Sequence, residues 1–344
     1  MEIKKTSKLI RVLTIIILSG CLGCGEYQNQ QKKLVSETAT LEICKEIEFT
    51  SLNTKLRGRL YLPDNKSKNN PAVIMAHGFT TTINGMTADK YAENLRESGF
   101  AVILYDHRNF GISDGEPRQE INFWAQSRGY IDCIDFAQTL PEVDPDKIAI
   151  WGCSLSAEEV FLVGSIDERV KAIVSMVPAV GNVLPSKDQD DNVYTFSKNM
   201  VLNDDILDLS QTIFGPTLVV STDQINNPAV INLLPAYKWF TEYGGRFGSN
   251  WKNIVSWSDT DRPPNYHDAN FSQHLKAPIL MIVATNDEME YSNDKVTLEV
   301  FKRITQPKEW VDIDGGHFGL LYYPSELFDK SSKAQIEFLN KYLK

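Results

Sequence analysis

The chain has 344 residues, 42% of them hydrophobic, and a net charge of −10. That is ample apolar chain for one large buried core. The acidic balance excludes nucleic acid or an anionic membrane surface as the main electrostatic partner.

The first residues have an organisation of their own. Lys4, Lys5, Lys8 and Arg11 form a basic region, Val12 to Leu18 is apolar, and Leu18-Ser19-Gly20-Cys21 follows. A basic start, a short apolar core and small residues before a cut read as a secretory signal over residues 1–20. The apolar stretch is far short of the roughly 20 residues needed to span a bilayer. The Leu18–Cys21 tetrad resembles a bacterial lipobox, which implies cleavage before Cys21, lipidation of Cys21 and anchoring to a membrane of the cell envelope. Removing residues 1–20 leaves 31 basic and 44 acidic residues, a net charge of −13. Residues 21–41 are polar, with Gln28-Asn29-Gln30-Gln31 among them, and read as a flexible tether. Of the other cysteines, Cys133 and Cys153 fall in apolar elements and are expected to be buried thiols. An oxidising compartment leaves a Cys24–Cys44 bridge open.

From residue 42 the patterning is that of a globular domain. Ile43–Thr50 and Leu56–Leu62 alternate like two antiparallel strands. Ala72–Ala76 is a strand leading into His77-Gly78-Phe79, and helices are expected over Ala88–Ser98 and Ile121–Leu140. Ile148–Trp151 runs into Gly152-Cys153-Ser154-Leu155-Ser156, and Lys171–Met176 is the next strand. Strands alternating with helices argue for a parallel sheet. Pro278–Ala284 resumes the alternation, and the last helix is Ser331–Leu343. The core is thus expected over residues 42–180 and 275–344.

Residues 181–274 interrupt this pattern and are too long for a loop. They read as a mainly helical cap, with twelve aromatic residues from Tyr194 to Phe271. Most of these should form the cap's own core, while a subset roofs a pocket for an apolar acyl or ring group. Trp239 and Phe240 are neighbours that cannot share one helix face, so at most one is expected to point inward.

Three residues stand in a chemically suggestive order. Ser154 follows a β-branched run and a glycine, Asp287 follows the strand ending at Ala284, and His317 lies in a glycine-flanked loop. His317 is the only histidine after Asp287. A serine hydroxyl needs an adjacent base to attack at neutral pH. His317 would take that proton, and Asp287 would fix the imidazole tautomer. Glu288, Glu290 and Asp294 lie close enough in sequence to supply the acid instead. Asp312 and Asp314 read as strand-end or loop residues. Cys153 should point away from Ser154, since neighbours on a strand alternate faces. His77 reads as a brace for its loop and His107 as a loop residue with polar partners. His267 and His274 read as surface or capping residues that could also line an entrance. No cluster has metal-ligand spacing.

The stretch Gly152-Cys153-Ser154-Leu155-Ser156 resembles the nucleophile elbow of the α/β-hydrolase superfamily, with Ser156 where that family usually has Gly. Further matches are His77-Gly78-Phe79, the segment from Tyr105 to Arg118, Val143-Asp144-Pro145-Asp146-Lys147-Ile148, and Gly315-Gly316-His317. They resemble a branch containing dienelactone-hydrolase-like and Xaa-Pro-dipeptidyl-peptidase-like hydrolases, together with polyketide acyl transferases. His107 departs from the tyrosine common there. The resemblance covers residues 45–180 and 275–344. It implies an α/β-hydrolase fold, a mostly parallel sheet flanked by helices. It also implies a Ser154–His317–Asp287 triad, and an oxyanion hole from the backbone N–H groups of Phe79 and Leu155. The expected activity is cleavage of an ester or related acyl bond in a small molecule through an acyl-serine, with no cofactor and no metal. An acyltransferase or peptidase using the same triad, and a non-catalytic binding lipoprotein on this fold, are the alternatives.

Overall fold

Near-continuous apolar runs build the central sheet of the computed structural model, which describes residues 43–64, 68–188 and 190–344. The expectations for the signal segment, the Cys21 lipidation site, the tether and Cys24 lie outside the described residues. The chain enters the sheet through an antiparallel hairpin, β1 (Cys44–Ser51) and β2 (Thr54–Tyr61). β3 (Asn70–Ala76), β4 (Ala101–Tyr105), β6 (Val143–Cys153), β7 (Val170–Met176), β11 (Ile279–Ala284) and β12 (Lys308–Ile313) then run parallel to one another. The order across the sheet is β1-β2-β4-β3-β6-β7-β11-β12. Every residue of β4 and β11 is buried, as expected for parallel strands covered on both faces.

Helices α1 (Ala88–Glu97) and α9 (Glu326–Leu343) pack on each other, as do α2 (Phe123–Gln138) and α3 (Leu155–Ile166); α8 (Asp294–Arg303) connects β11 to β12. Caps set two of their starts. Asn122 is extended and accepts from the N–H of Ala125, so α2 begins at Phe123 and not at Ile121. Ser325 accepts from the N–H of Phe328, which starts α9 five residues before the expected Ser331. Such caps satisfy donors that the first turn leaves unpaired. No described helix is long and apolar enough to cross a membrane.

The segment between β7 and β11 adds a small sheet to the expected helices. It contains α4 (Asp191–Val201), α5 (Ile206–Leu209), α6 (Leu234–Gly244) and α7 (Ala269–Ser272), but also β8 (Gln211–Val220), β9 (Ala229–Ile231) and β10 (Val255–Asp259). These strands form a four-stranded sheet, β5-β10-β8-β9, whose edge β5 (Glu120–Asn122) comes from just before α2. Asn122 ties the two parts together. Its amide donates to Ser210 Oγ at 2.8 Å and Ser258 Oγ at 3.2 Å.

The expectation for Trp239 and Phe240 is corrected, because both are buried, at 1% and 2% exposure. α6 is covered on two sides, so its buried arc is wider than one stripe. Trp239 stacks on Tyr243 and donates its indole N–H to Leu321 O at 3.0 Å. Phe240 stacks on Trp251, and both side chains meet Phe318.

Candidate active site

Ser154 stands between β6 and α3 with φ 58° and ψ −116°. That backbone is unfavourable for a residue with a Cβ and costs on the order of 1–3 kcal/mol. The surroundings enforce it. The Ser154 N–H donates to Met176 O at 2.9 Å, and its carbonyl accepts from Ala157 and Ala179. A Cβ on Gly152 would lie 2.1 Å from Ser156 O, so only glycine permits this close turn. Ser156, the small residue two positions after Ser154, is fully buried. Ser156 Oγ accepts from the Cys153 N–H at 2.8 Å and lies 3.1 Å from Ala76 O, joining the turn to the end of β3. Tyr130 makes a second link, accepting from the Ala76 N–H and donating to Trp151 O.

The loop after β3 packs against this turn. A Cβ on Gly78 would meet Cys153 O at 2.6 Å. His77 Nε2 lies 3.1 Å from the fully buried Asp106 Oδ1. That carboxylate accepts the N–H groups of Ile83 and Ile112, each at 2.9 Å. His77 is thus buried beside an anchored carboxylate. His107 is buried with Nε2 3.2 Å from Glu159 Oε2, and burial pushes its pKa down to about 4. It is thus neutral across the physiological range. Cys153 is buried, and burial holds its thiol well above the ordinary value. A thiolate there is disfavoured.

β11 and β12 deliver the other two residues. Asp287 and His317 are both nearly inaccessible, at 4% and 2% exposure, and His317 Nδ1 lies 2.9 Å from Asp287 Oδ2. Asp287 Oδ1 accepts from the Met289 N–H at 2.9 Å, which fixes the carboxylate plane. The competing acids do other things. Glu288 Oε2 accepts the backbone N–H of His317 at 2.8 Å. Gly316 is what allows this approach, since a Cβ there would lie 2.4 Å from that oxygen. Glu290 accepts from the amide of Asn182, and Asp294 begins α8. Asp312 accepts from the Trp310 indole, and Asp314 from Thr285 and Asn286. The anchoring roles of Glu288, Ser156 and Asp106 were missed in the sequence. The glycine before His317 was the one signal for Glu288.

Ser154 and His317 line one crevice of about 40 Å³, with Gly78, Phe79, Trp239 and Phe318 among its walls. Ser154 also opens onto a larger cavity of about 660 Å³, where Phe79 and Leu155 flank it. The structure thus brings Ser154, Leu155, Phe79 and His317 to one place, with Asp287 behind the histidine. His267 also lines the larger cavity while accepting the Ala269 N–H; His274 instead stacks on Tyr194 at 3.7 Å.

The sheet architecture agrees with the comparisons to known proteins. The chain belongs to the alpha/beta hydrolase fold family, whose model matches residues 71–324. Among characterised relatives, thiohydrolase aneE of Aspergillus aculeatus is 28% identical over 87% of this chain and 93% of its own. The quorum-quenching protein AidA of Acinetobacter baumannii is 26% identical over 86% of this chain and 94% of its own. Polyketide transferase claH of Penicillium crustosum is 27% identical over 87% and 97%.

Proposed function

We propose that the protein is a serine hydrolase that cleaves an ester or thioester of a small acyl substrate through an acyl-serine intermediate. The observation that carries this reading is that His317, paired with Asp287, lines the same crevice as Ser154. In the first step Ser154 Oγ attacks the carbonyl carbon and His317 Nε2 takes its proton. The oxyanion is received by the N–H groups of Phe79 and Leu155, the latter at the positive end of α3. Collapse expels the alcohol or thiol, protonated by His317. Water then repeats the sequence and releases the acid. Asp287 holds Nδ1–H throughout, so Nε2 is free to accept.

Thioesters are included because three relatives are named thiohydrolases. A second reading, acyl transfer to an alcohol or amine, is supported by the polyketide transferase relative and by a cavity large enough for an acceptor. The test is turnover of p-nitrophenyl esters and acyl thioesters from acetyl to long acyl, with and without an added alcohol. Turnover with a defined length optimum is expected. Diversion of product to the new ester would favour the transferase. No turnover of any substrate would contradict both.

From its N-terminal sequence we further propose that the chain is exported and held to a membrane by lipid on Cys21. Cys21→Ala should abolish incorporation of labelled fatty acid and release the protein from the membrane fraction. Unchanged labelling would refute this.

A further inference from the structure

The larger cavity has apolar walls, Val180, Phe214, Ile231 and Trp257 among them, but polar residues as well. Glu158, Asp259, Arg262, Tyr266 and Asp268 form one ionisable cluster in that lining, apart from Glu288 and Glu290. Burying ionisable groups in an otherwise apolar cavity is costly unless they are paired. Only half of this cluster is paired. Asp259 is saturated: Oδ2 accepts from Arg262 Nε at 2.9 Å, and Oδ1 from the Trp124 indole at 2.6 Å and the Thr260 N–H at 2.8 Å. The Arg262 guanidinium lies over the Tyr266 ring at 4.2 Å.

Glu158 and Asp268 line the same cavity with their carboxyls close enough to interact. Two carboxyls in such proximity favour one shared proton. Burial agrees, pushing Glu158 up to about 7 and Asp268 well above the carboxylate range. Asp268 is only 4% exposed, yet no N–H or O–H of the described residues reaches its Oδ1, nor does any group pair with the Tyr266 hydroxyl. Asp268 thus keeps one unsatisfied acceptor and Tyr266 one unsatisfied donor, both buried beneath the cavity lining. Native structures rarely leave such groups unsatisfied without a reason.

The cluster shares its cavity with the chemistry. Glu158 lies in the first turn of α3, just after Ser154, and both line the larger cavity. A substrate carbonyl at Ser154 places atoms a few bonds away beside the cluster. A neutral group that both donates and accepts satisfies it; a carboxylate does not.

We propose that Glu158, Asp268 and Arg262 form the specificity-determining end of the substrate cavity and select acyl groups bearing a hydroxyl a few bonds from the scissile carbonyl. The inference rests on the acyl-hydrolase reading above. The hydroxyl donates a hydrogen bond to the Glu158–Asp268 carboxyl pair and accepts one from the proton that the pair shares. A site built to hydrogen-bond a substrate hydroxyl discriminates strongly against the analogue lacking it.

The test compares kcat/KM for the hexanoyl thioester of N-acetylcysteamine with analogues carrying one hydroxyl at the β, δ or ω carbon. In the wild-type protein at least one hydroxylated thioester should be preferred by about tenfold or more. Glu158→Leu should bring that ratio close to one. The near-isosteric Glu158→Gln, which cannot share the proton in the same way, should lower it if the leucine variant does not fold. A wild-type ratio near one with good hexanoyl turnover overturns this inference and leaves the hydrolase reading standing. So does a ratio that neither variant changes. No turnover of any thioester or ester takes down both.

Discussion

Ser154→Ala is expected to lower kcat by at least about 10⁴-fold while the protein remains folded. The loss follows from removing the atom that would attack, since residues acting as one nucleophilic unit fail together. Folding should survive because the backbone bonds that shape the turn are untouched. Ser154 N–H to Met176 O and Ala157 N–H to Ser154 O do not involve the side chain. Alanine accepts the same strained φ and ψ about as well as serine. The check is kcat on the best ester or thioester, with thermal unfolding beside it. A folded variant retaining a tenth of the activity would remove Ser154 from the mechanism. The crevice holds Cys153 as well, but its buried thiol is held protonated and offers no substitute.

Asp287→Asn should cost about 10⁴-fold in kcat, nearly as much, for a different reason. Asp287 uses Oδ1 for the Met289 N–H and Oδ2 for His317 Nδ1. An asparagine that keeps its carbonyl on Met289 turns its NH₂ toward His317. The imidazole must then accept at Nδ1 and carry its proton on Nε2, where it cannot take one from serine. Glu288→Gln is the matched control. It retains an amide oxygen able to accept the His317 backbone N–H, so its loss should stay below about tenfold. If Glu288→Gln were the more damaging, the acid would be Glu288. Rates of both variants at saturating substrate decide the matter.

The parts of this account legible in sequence are those encoded over short distances. The serine turn lies within seven consecutive residues, where β-branched strand, glycine and small helix start each constrain the next. The strand-end positions of Asp287 and His317 follow from apolar runs that stop at polar turns. The cap sheet was not legible, because β8 is exposed over most of its length and gives no alternation. Its edge strand β5 lies about 90 residues earlier and reads as the start of a helix. The double burial of Trp239 and Phe240 depends on what packs on two sides of α6, which periodicity does not contain. The Glu158–Asp268 pair joins residues roughly a hundred positions apart. A trace of it was visible: two adjacent carboxylates, Glu158 and Glu159, in an otherwise apolar helix.

The central claim, that Ser154 is an activated nucleophile, is tested most directly by reaction with a fluorophosphonate followed by peptide mass mapping. The account predicts one adduct per chain, on the peptide containing Ser154, lost in Ser154→Ala and strongly slowed in Asp287→Asn. No adduct on the folded wild-type protein, or an adduct on another residue that persists in Ser154→Ala, would contradict it.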